Sequence, residues 1–157
     1  MKQLFKIFFI FMGIILISGC NQEVKPEKNE FQILYNVETN LVTRISYEDF
    51  IEFTKNKTGV VFIGDDSESA KLLAKSFCDS LCECDINKAY FLKTSDIDDN
   101  QLINMFNVED LNYPIIVAYK MGKLAGFYDE KTKTENINDY IDELIHKVYP
   151  ATCDDAC

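Results

Sequence analysis

The chain has 157 residues, of which 47% are hydrophobic, 13% aromatic and 27% charged. This length suits one domain with short extensions and is too short for two ordinary domains. The formal net charge of −10 excludes the basic face that nucleic-acid binding requires, and the single histidine excludes a histidine-rich metal site.

The N-terminal segment has the pattern of an export signal. A basic start is followed by an apolar run over residues 7–17, which is shorter than the roughly 20 apolar residues that span a bilayer. The letters ISGC that end at Cys20 resemble the bacterial lipobox, in which a peptidase cuts before the cysteine and its thiol carries diacylglycerol. We therefore expect a signal peptide over residues 1–19 and a lipid anchor, including palmitate, on Cys20. This anchor would hold the protein on the extracytoplasmic face of the cell membrane.

The rest of the chain divides into three parts by composition. Residues 20–30 contain the acylated cysteine and a polar stretch with one proline, which predicts a flexible tether. Residues 31–149 carry the apolar pattern of a folded domain, and residues 150–157 form a cysteine-containing tail. Because the chain is acidic, the acyl chains would hold it at the membrane without help from anionic lipid.

The predicted elements of the domain alternate between strands and helices. Strands are expected over residues 31–35, 41–45, 59–64, 89–92, 115–119 and 123–128, and helices from residue 46, over 65–81, 101–106 and 136–148. The segment GVVFIG at 59–64 is an unbroken apolar run, which is typical of a strand buried on both faces. The alternation predicts an α/β fold with a mixed sheet of four to five strands flanked by helices.

The long helix over residues 65–81 is expected to bury one side. The residues on that side are predicted to be Leu72, Leu73, Ser76, Phe77 and Leu81.

The segment YPIIVAYKMGK, which begins at Tyr113, resembles the thioredoxin superfamily. In that family a cis-proline opens a strand and a glycine turn follows, at the positions of Pro114 and Gly122. A trans proline at the start of an edge strand is the alternative. With the element order, the resemblance covers residues 46–149 and implies a thioredoxin-like mixed sheet. It also implies a groove beside Pro114, where relatives hold an extended peptide against the residue before the proline.

The same resemblance indicates what this chain lacks. Family members carry Trp-Cys-x-x-Cys at a helix start after the central strand, where the helix terminus stabilises a thiolate. A gap-free alignment puts Glu68 and Lys71 at the two cysteine positions and Phe62 at a buried aspartate. Glutamate and lysine cannot exchange disulfides, so the usual dithiol reaction is expected to be absent. The spacing of Glu68 and Lys71 predicts a surface ion pair, with a general acid–base pair as the alternative.

Five cysteines follow the lipobox: Cys78, Cys82, Cys84, Cys153 and Cys157. Structural disulfides, a displaced redox pair (Cys82 with Cys84, or Cys78 with Cys82) and a thiolate metal site are all compatible with them. Cys78 and Cys82 are expected to point away from the apolar side of their helix, beside lysines that would lower a thiol pKa. The family topology implies that the long helix and the last helix end at one pole. We therefore predict a disulfide from Cys84 to Cys153 or Cys157, with a local Cys153–Cys157 loop as the alternative.

The function expected from these observations is that of a membrane-anchored extracytoplasmic binding or accessory module without conventional dithiol chemistry. The alternatives are a thiol–disulfide oxidoreductase that uses the cysteines of the long helix, and a thiolate metal carrier. No residue is assigned to catalysis or to a particular metal, and no cofactor is expected. The expected partners are the membrane and an exported peptide or cell-surface protein, but not nucleic acid. The residues expected to line a peptide groove are Glu68, Lys71, Tyr113 and Pro114.

Overall fold

The computed structural model describes residues 27–132 and 134–149. Its helices and strands, in chain order, are α1 (Glu30–Tyr35), β1 (Val42–Arg44), α2 (Tyr47–Asn56), β2 (Gly59–Gly64), α3 (Glu68–Glu83), β3 (Ala89–Lys93), a 3₁₀ turn (Thr94–Asp96), α4 (Asp99–Phe106), β4 (Ile115–Lys120), β5 (Lys123–Tyr128) and α5 (Ile137–Val148). No helix among these residues is long and apolar enough to cross a membrane.

The five strands form one mixed sheet in the order β1-β3-β2-β4-β5. Strands β1, β2 and β3 are parallel, whereas β4 is antiparallel to both β2 and β5. Every residue of β2 is buried, as the apolar run predicted. The carboxyl ends of the parallel strands therefore lie beside the start of β4. We call this side of the sheet the carboxyl edge and define it by Gly64, Lys93 and Ile115.

The first predicted strand is a helix, α1, and this corrects the prediction for residues 31–35. The side chain of Asn29 accepts a hydrogen bond from the Gln32 amide (2.9 Å), and Gln32 Oε1 accepts one from the Asn29 amide (2.8 Å). This capping box starts the helix and places the beginning of the fold at Asn29. Helical spacing then buries Phe31 and Tyr35 together, while Ile33 is 68% exposed.

The sheet separates two apolar layers. One lies under α1, α3 and α5 and the other under α2 and α4. An aromatic cluster in the first layer joins α1 to the centre of the sheet, with the Phe31 and Tyr35 rings 5.6 Å and 5.2 Å from the Phe62 ring. Phe62 itself is fully buried, so an apolar ring fills the position at which the family resemblance implies an aspartate.

Helix α3 turns a different face to the core than predicted. Leu73, Phe77 and Leu81 are buried as expected, but Leu72 is 73% exposed. Cys78, which was expected to point away from the core, is only 8% exposed. The reason is that α1 and the loop after it cover this flank of α3. This cover was not expected, because residues 31–35 were predicted to be a strand.

The β4–β5 hairpin forms at the predicted turn. Met121 and Gly122 adopt positive φ angles of 53° and 76°. A Cβ atom at Gly122 would collide with the backbone carbonyl of Lys55, so both the turn and the close approach of α2 require glycine.

Candidate functional site

A cis-proline marks the carboxyl edge. The Tyr113–Pro114 peptide bond is cis, as the resemblance implied, and Pro114 is buried directly before β4. The β2–β4 ladder ends at the Ile63–Ile115 pair, so Tyr113 lies beyond the last paired residues. The backbone of Tyr113 is therefore not part of the ladder.

The start of α3 lies at the same edge because it follows β2 after a short turn. Ser67 is the N-cap, and its hydroxyl accepts a hydrogen bond from the Ala70 amide (3.2 Å). Asp65 fixes the turn by accepting hydrogen bonds from the Ser67 amide (3.1 Å) and hydroxyl (2.5 Å). The N-terminus of α3 thus follows the end of β2, which pairs with the start of β4.

Glu68 and Lys71 form the predicted ion pair in the first turn of α3. The Glu68 Oε1–Lys71 Nζ distance is 2.6 Å, and 85% of the Glu68 side chain is exposed. The hydrogen bond that Lys71 donates to the Glu68 carboxylate, and the negative charge of Glu68, raise the pKa of Lys71. At the two positions that the gap-free alignment matches to the family's cysteines, the chain therefore has a solvated ion pair.

Tyr113 is held by Asp99, which no sequence pattern had indicated. Its hydroxyl donates a hydrogen bond to Asp99 Oδ1 at the start of α4 (2.6 Å). Burial and this hydrogen bond raise the pKa of Tyr113, so the phenol stays protonated and the half-buried ring stays in place.

A buried hydroxyl lies beneath the same edge. Tyr35 Oη has no hydrogen-bond partner among the residues that the structure describes. A Cβ atom at Gly64 would lie 2.8 Å from it, so glycine allows the two segments to approach. Burial, followed by the negative charges of Asp65 and Asp66, raises the pKa of Tyr35. The Asn29–Gln32 capping box was the sequence signal that could have placed Tyr35 here.

No family model and no curated protein matches the sequence. Among solved structures, the chain is similar to a thioredoxin pre-protein of Schistosoma mansoni, with 18% identity over 68% of this chain and 97% of that one and a TM-score of 0.48. It is also similar to a thioredoxin of Malassezia sympodialis, with 15% identity over 71% of this chain and 97% of that one and a TM-score of 0.48. Chloroplastic thioredoxin z is 16% identical over 69% of this chain and 98% of its own, with a TM-score of 0.46.

The topology itself decides the fold. A central strand β2 is followed by α3, and an antiparallel hairpin, β4–β5, begins at a cis-proline beside β2. The protein has a thioredoxin fold. The resemblance stated from the sequence is thus confirmed for the fold.

A groove runs along α3 on the side of this thioredoxin fold that faces α1. It has a volume of about 370 Å³ and lies between residues 35–39 and α3. We call it the thiol groove. Its α3 side is formed by Lys71, Lys75, Cys78, Asp79 and Cys82.

The two thiols in the groove differ in exposure. Cys78 and Cys82 are both free, but Cys78 is buried and Cys82 is exposed. Burial, with smaller contributions from Cys82 and Asp79, raises the pKa of Cys78 to about 12. The prediction that the neighbouring lysines would lower a thiol pKa is therefore wrong for Cys78. The cover provided by residues 35–39 outweighs those charges.

The remaining cysteines lie at or beyond the far end of α3. Cys84 follows the helix and is 2% exposed, whereas Cys20, Cys153 and Cys157 lie outside the described residues. Tyr149 lines a cavity of about 290 Å³ together with Asp85 and other residues after α3. The chain therefore leaves α5 near the end of α3, at the pole opposite the carboxyl edge.

Proposed function

We propose that the protein is a membrane-anchored, extracytoplasmic thioredoxin-like module that binds an extended peptide at the carboxyl edge without dithiol exchange there. The observation that carries this proposal is the backbone of Tyr113, which lies beyond the last pair of the β2–β4 ladder, with Glu68 and Lys71 at the positions that the alignment matches to the family's cysteines. The site keeps the architecture for holding a peptide and lacks the atoms that exchange disulfides.

Backbone pairing supplies the affinity in this proposal. Tyr113 lies beyond the last pair of the β2–β4 ladder, so an extended peptide can bond to its N–H and C=O groups as a short added strand. The Tyr113 ring, fixed by Asp99, offers an aromatic surface beside that strand.

The charge around the edge selects the peptide. Asp65, Asp66 and Glu68 surround the start of α3, and Asp99 lies against the Tyr113 hydroxyl. Lys71 and Lys93 are cations at this edge, and each is paired with a glutamate. Acidic peptides would be repelled, so the site favours a peptide with lysine or arginine near the proline.

The lipid anchor supplies the location in this proposal. A chain acylated at Cys20 stays at the membrane, where it meets peptides as they leave the cell. The support for this part is the lipobox resemblance in the sequence.

Peptide arrays probed with the full chain in detergent test the binding proposal. We expect basic peptides to be retained and acidic ones not. Backbone N-methylation of a retained peptide should abolish binding at alternate positions, because a strand pairs every second residue with its neighbour. Binding that is indifferent to N-methylation would contradict strand-type pairing.

Charge variants test the selectivity. Changing Asp65→Asn, Asp66→Asn and Glu68→Gln together should weaken binding of basic peptides. The matched control changes three acidic residues away from the edge, at Asp79, Glu83 and Asp85, to their amides and should leave binding intact. Equal loss in both variants would show that net charge, not the edge, attracts the peptide.

An insulin-reduction assay tests the alternative function. If the full chain reduced insulin and Cys82→Ser abolished this activity, the protein would instead be an oxidoreductase.

A further inference from the structure

The thiol groove runs along α3 away from the carboxyl edge and shares Lys71 with the proposed peptide site, and its wall includes two thiols one helical turn apart. We propose that the sulfur atoms of Cys78 and Cys82 bind one soft, thiophilic metal ion between them. Two-coordinate Cu(I) represents this class of ion. This inference stands on α3 and its cover, so its outcome is independent of peptide binding at the carboxyl edge.

The spacing of the thiols favours a bridging ion over a direct bond. Residues four apart on a helix have Cβ atoms about 5–6 Å apart. A disulfide requires Cβ atoms about 3.5–4.5 Å apart, so Cys78 and Cys82 could form one only if the last turn of α3 unwound. Metal–thiolate bonds of about 2.3 Å, the length found for zinc, hold two sulfur atoms up to about 4.6 Å apart across an ion. The helix therefore spaces the two thiols for an ion.

The donor set restricts the kind of ion. Among the described residues, no group of three or more histidine, cysteine or acidic side chains is arranged to hold a metal. Zinc takes four ligands and calcium or magnesium takes oxygen ligands, so neither is satisfied by this pair. Thiolates are soft ligands that select Cu(I), and two suffice when the ion is coordinated in a line.

The surroundings of the pair suit an ion held in this way. Residues 35–39 cover Cys78 and limit solvent, while Cys82 is exposed and gives the ion a route of entry. Binding releases the two thiol protons to solvent, and two thiolates with Cu(I) carry a net charge of about −1. Lys75 and Lys71, which is paired with Glu68, line the same groove, so this negative charge would form near two cationic side chains.

The test titrates the reduced full chain with Cu(I) in the absence of oxygen, against a colorimetric chelator. Each cysteine is then alkylated and read out by peptide mass spectrometry. We expect Cu(I) to make Cys82 unreactive in the wild-type chain and leave it reactive in Cys78→Ser. Because one of two linked ligands is lost, Cys78→Ser and Cys82→Ser should each weaken Cu(I) binding about a hundredfold or more.

The matched control moves one thiol around the helix without changing the number of cysteines. In Cys82→Ser/Glu83→Cys the second thiol leaves the groove, and we expect binding to fall as in Cys82→Ser alone. Cu(I) binding that is retained in this variant would overturn the proposal. Protection of Cys82 from alkylation by Cu(I) in Cys78→Ser would overturn it as well. A Cys78–Cys82 disulfide formed with oxidised glutathione in the folded chain would overturn the spacing argument as well.

Discussion

Glu68 and Lys71 give the first turn of α3 a solvated ion pair at the place where a thioredoxin-type dithiol would lie. We predict that the double change Glu68→Cys/Lys71→Cys creates a reducible disulfide. The helix N-terminus is already in position and favours the thiolate that exchange requires. A redox titration of the double variant with glutathione measures how much of this disulfide forms.

The control for this change is Glu68→Cys/Lys75→Cys, which adds the same number of thiols two turns apart on α3. It should not form the bridge, because seven residues of helix separate the two positions by about 10 Å, beyond the reach of a disulfide. If the 68/71 pair stays reduced in a folded protein, the gap-free alignment has placed the site wrongly.

The two thiols of the groove should react at very different rates. Burial raises the pKa of Cys78 to about 12, so near neutral pH its thiolate is about a thousandfold scarcer than that of a thiol with the ordinary pKa of 9.0. We expect iodoacetamide to modify Cys82 first. The rate at Cys78 should continue to rise with pH well above 9, because deprotonation is complete only above the raised pKa. Peptide mass spectrometry after timed alkylation checks this, and comparable rates at neutral pH would contradict the burial of Cys78.

At the scale of elements, α1 controls access to the thiol groove. Asn29 starts this short helix through its capping box, so Asn29→Ala should lower the free energy of unfolding by about 1 kcal/mol. Because α1 and the loop after it cover Cys78, the same change should also speed alkylation of Cys78. Chemical denaturation and alkylation rates provide the two readouts.

The matched control lies at the other end of α1. Asn36 ends the helix at a φ of 52°, which glycine also adopts, so Asn36→Gly should change stability and the Cys78 rate little. If Asn29→Ala left the Cys78 rate unchanged, α1 would not be the cover of the groove.

Most elements were predictable because their own sequences contain the signals. The apolar run of β2, the Ser46 cap of α2 and the turn before β5 each specify their structure locally. Helix α1 was mistaken for a strand because the segment FQILY is mostly apolar and too short to show a helical period. Its capping box, Asn29 with Gln32, was the stronger local signal.

The site was predictable only where a motif carried it. The proline segment located Pro114, and helical spacing gave the Glu68–Lys71 pair. The contact of Tyr113 with Asp99 could not be read from either segment, because it depends on how α4 packs beside the start of β4. The burial of Cys78 was missed for the same reason, since the cover comes from a distant part of the chain.

At the scale of the whole molecule, the ends of α3 and α5 share one pole. Tyr149 lines a cavity with Asp85, so a tail continuing from residue 149 starts near Cys84. We predict a disulfide from Cys84 to Cys153 or Cys157, which would close a loop of about 70 residues and stabilise the fold by roughly 4 kcal/mol. Peptide mapping without reduction identifies the pairing. A Cys153–Cys157 bridge alone would contradict it.

Membrane attachment is the other prediction for the whole molecule. Cys20→Ser should abolish acyl labelling and release the protein from the membrane fraction, because no other thiol is in a lipobox. The control Cys153→Ser should remain labelled and membrane-bound. Processing and acylation of the Cys20→Ser chain at the same site would contradict the lipoprotein prediction.

The position of Glu30 shows where the tether of an anchored protein joins the fold. Glu30 begins α1 and pairs with Arg44 and with Lys93 (3.9 Å), and Lys93 lies in register with Gly64. The chain thus enters the fold at the carboxyl edge, and the stretch from Cys20 to Glu30 spans at most about 36 Å when extended. Acylation at Cys20 would therefore hold this edge within about 36 Å of the bilayer, while the flexible tether leaves the domain free to turn. A peptide emerging from the membrane would meet the Tyr113–Pro114 edge within that distance.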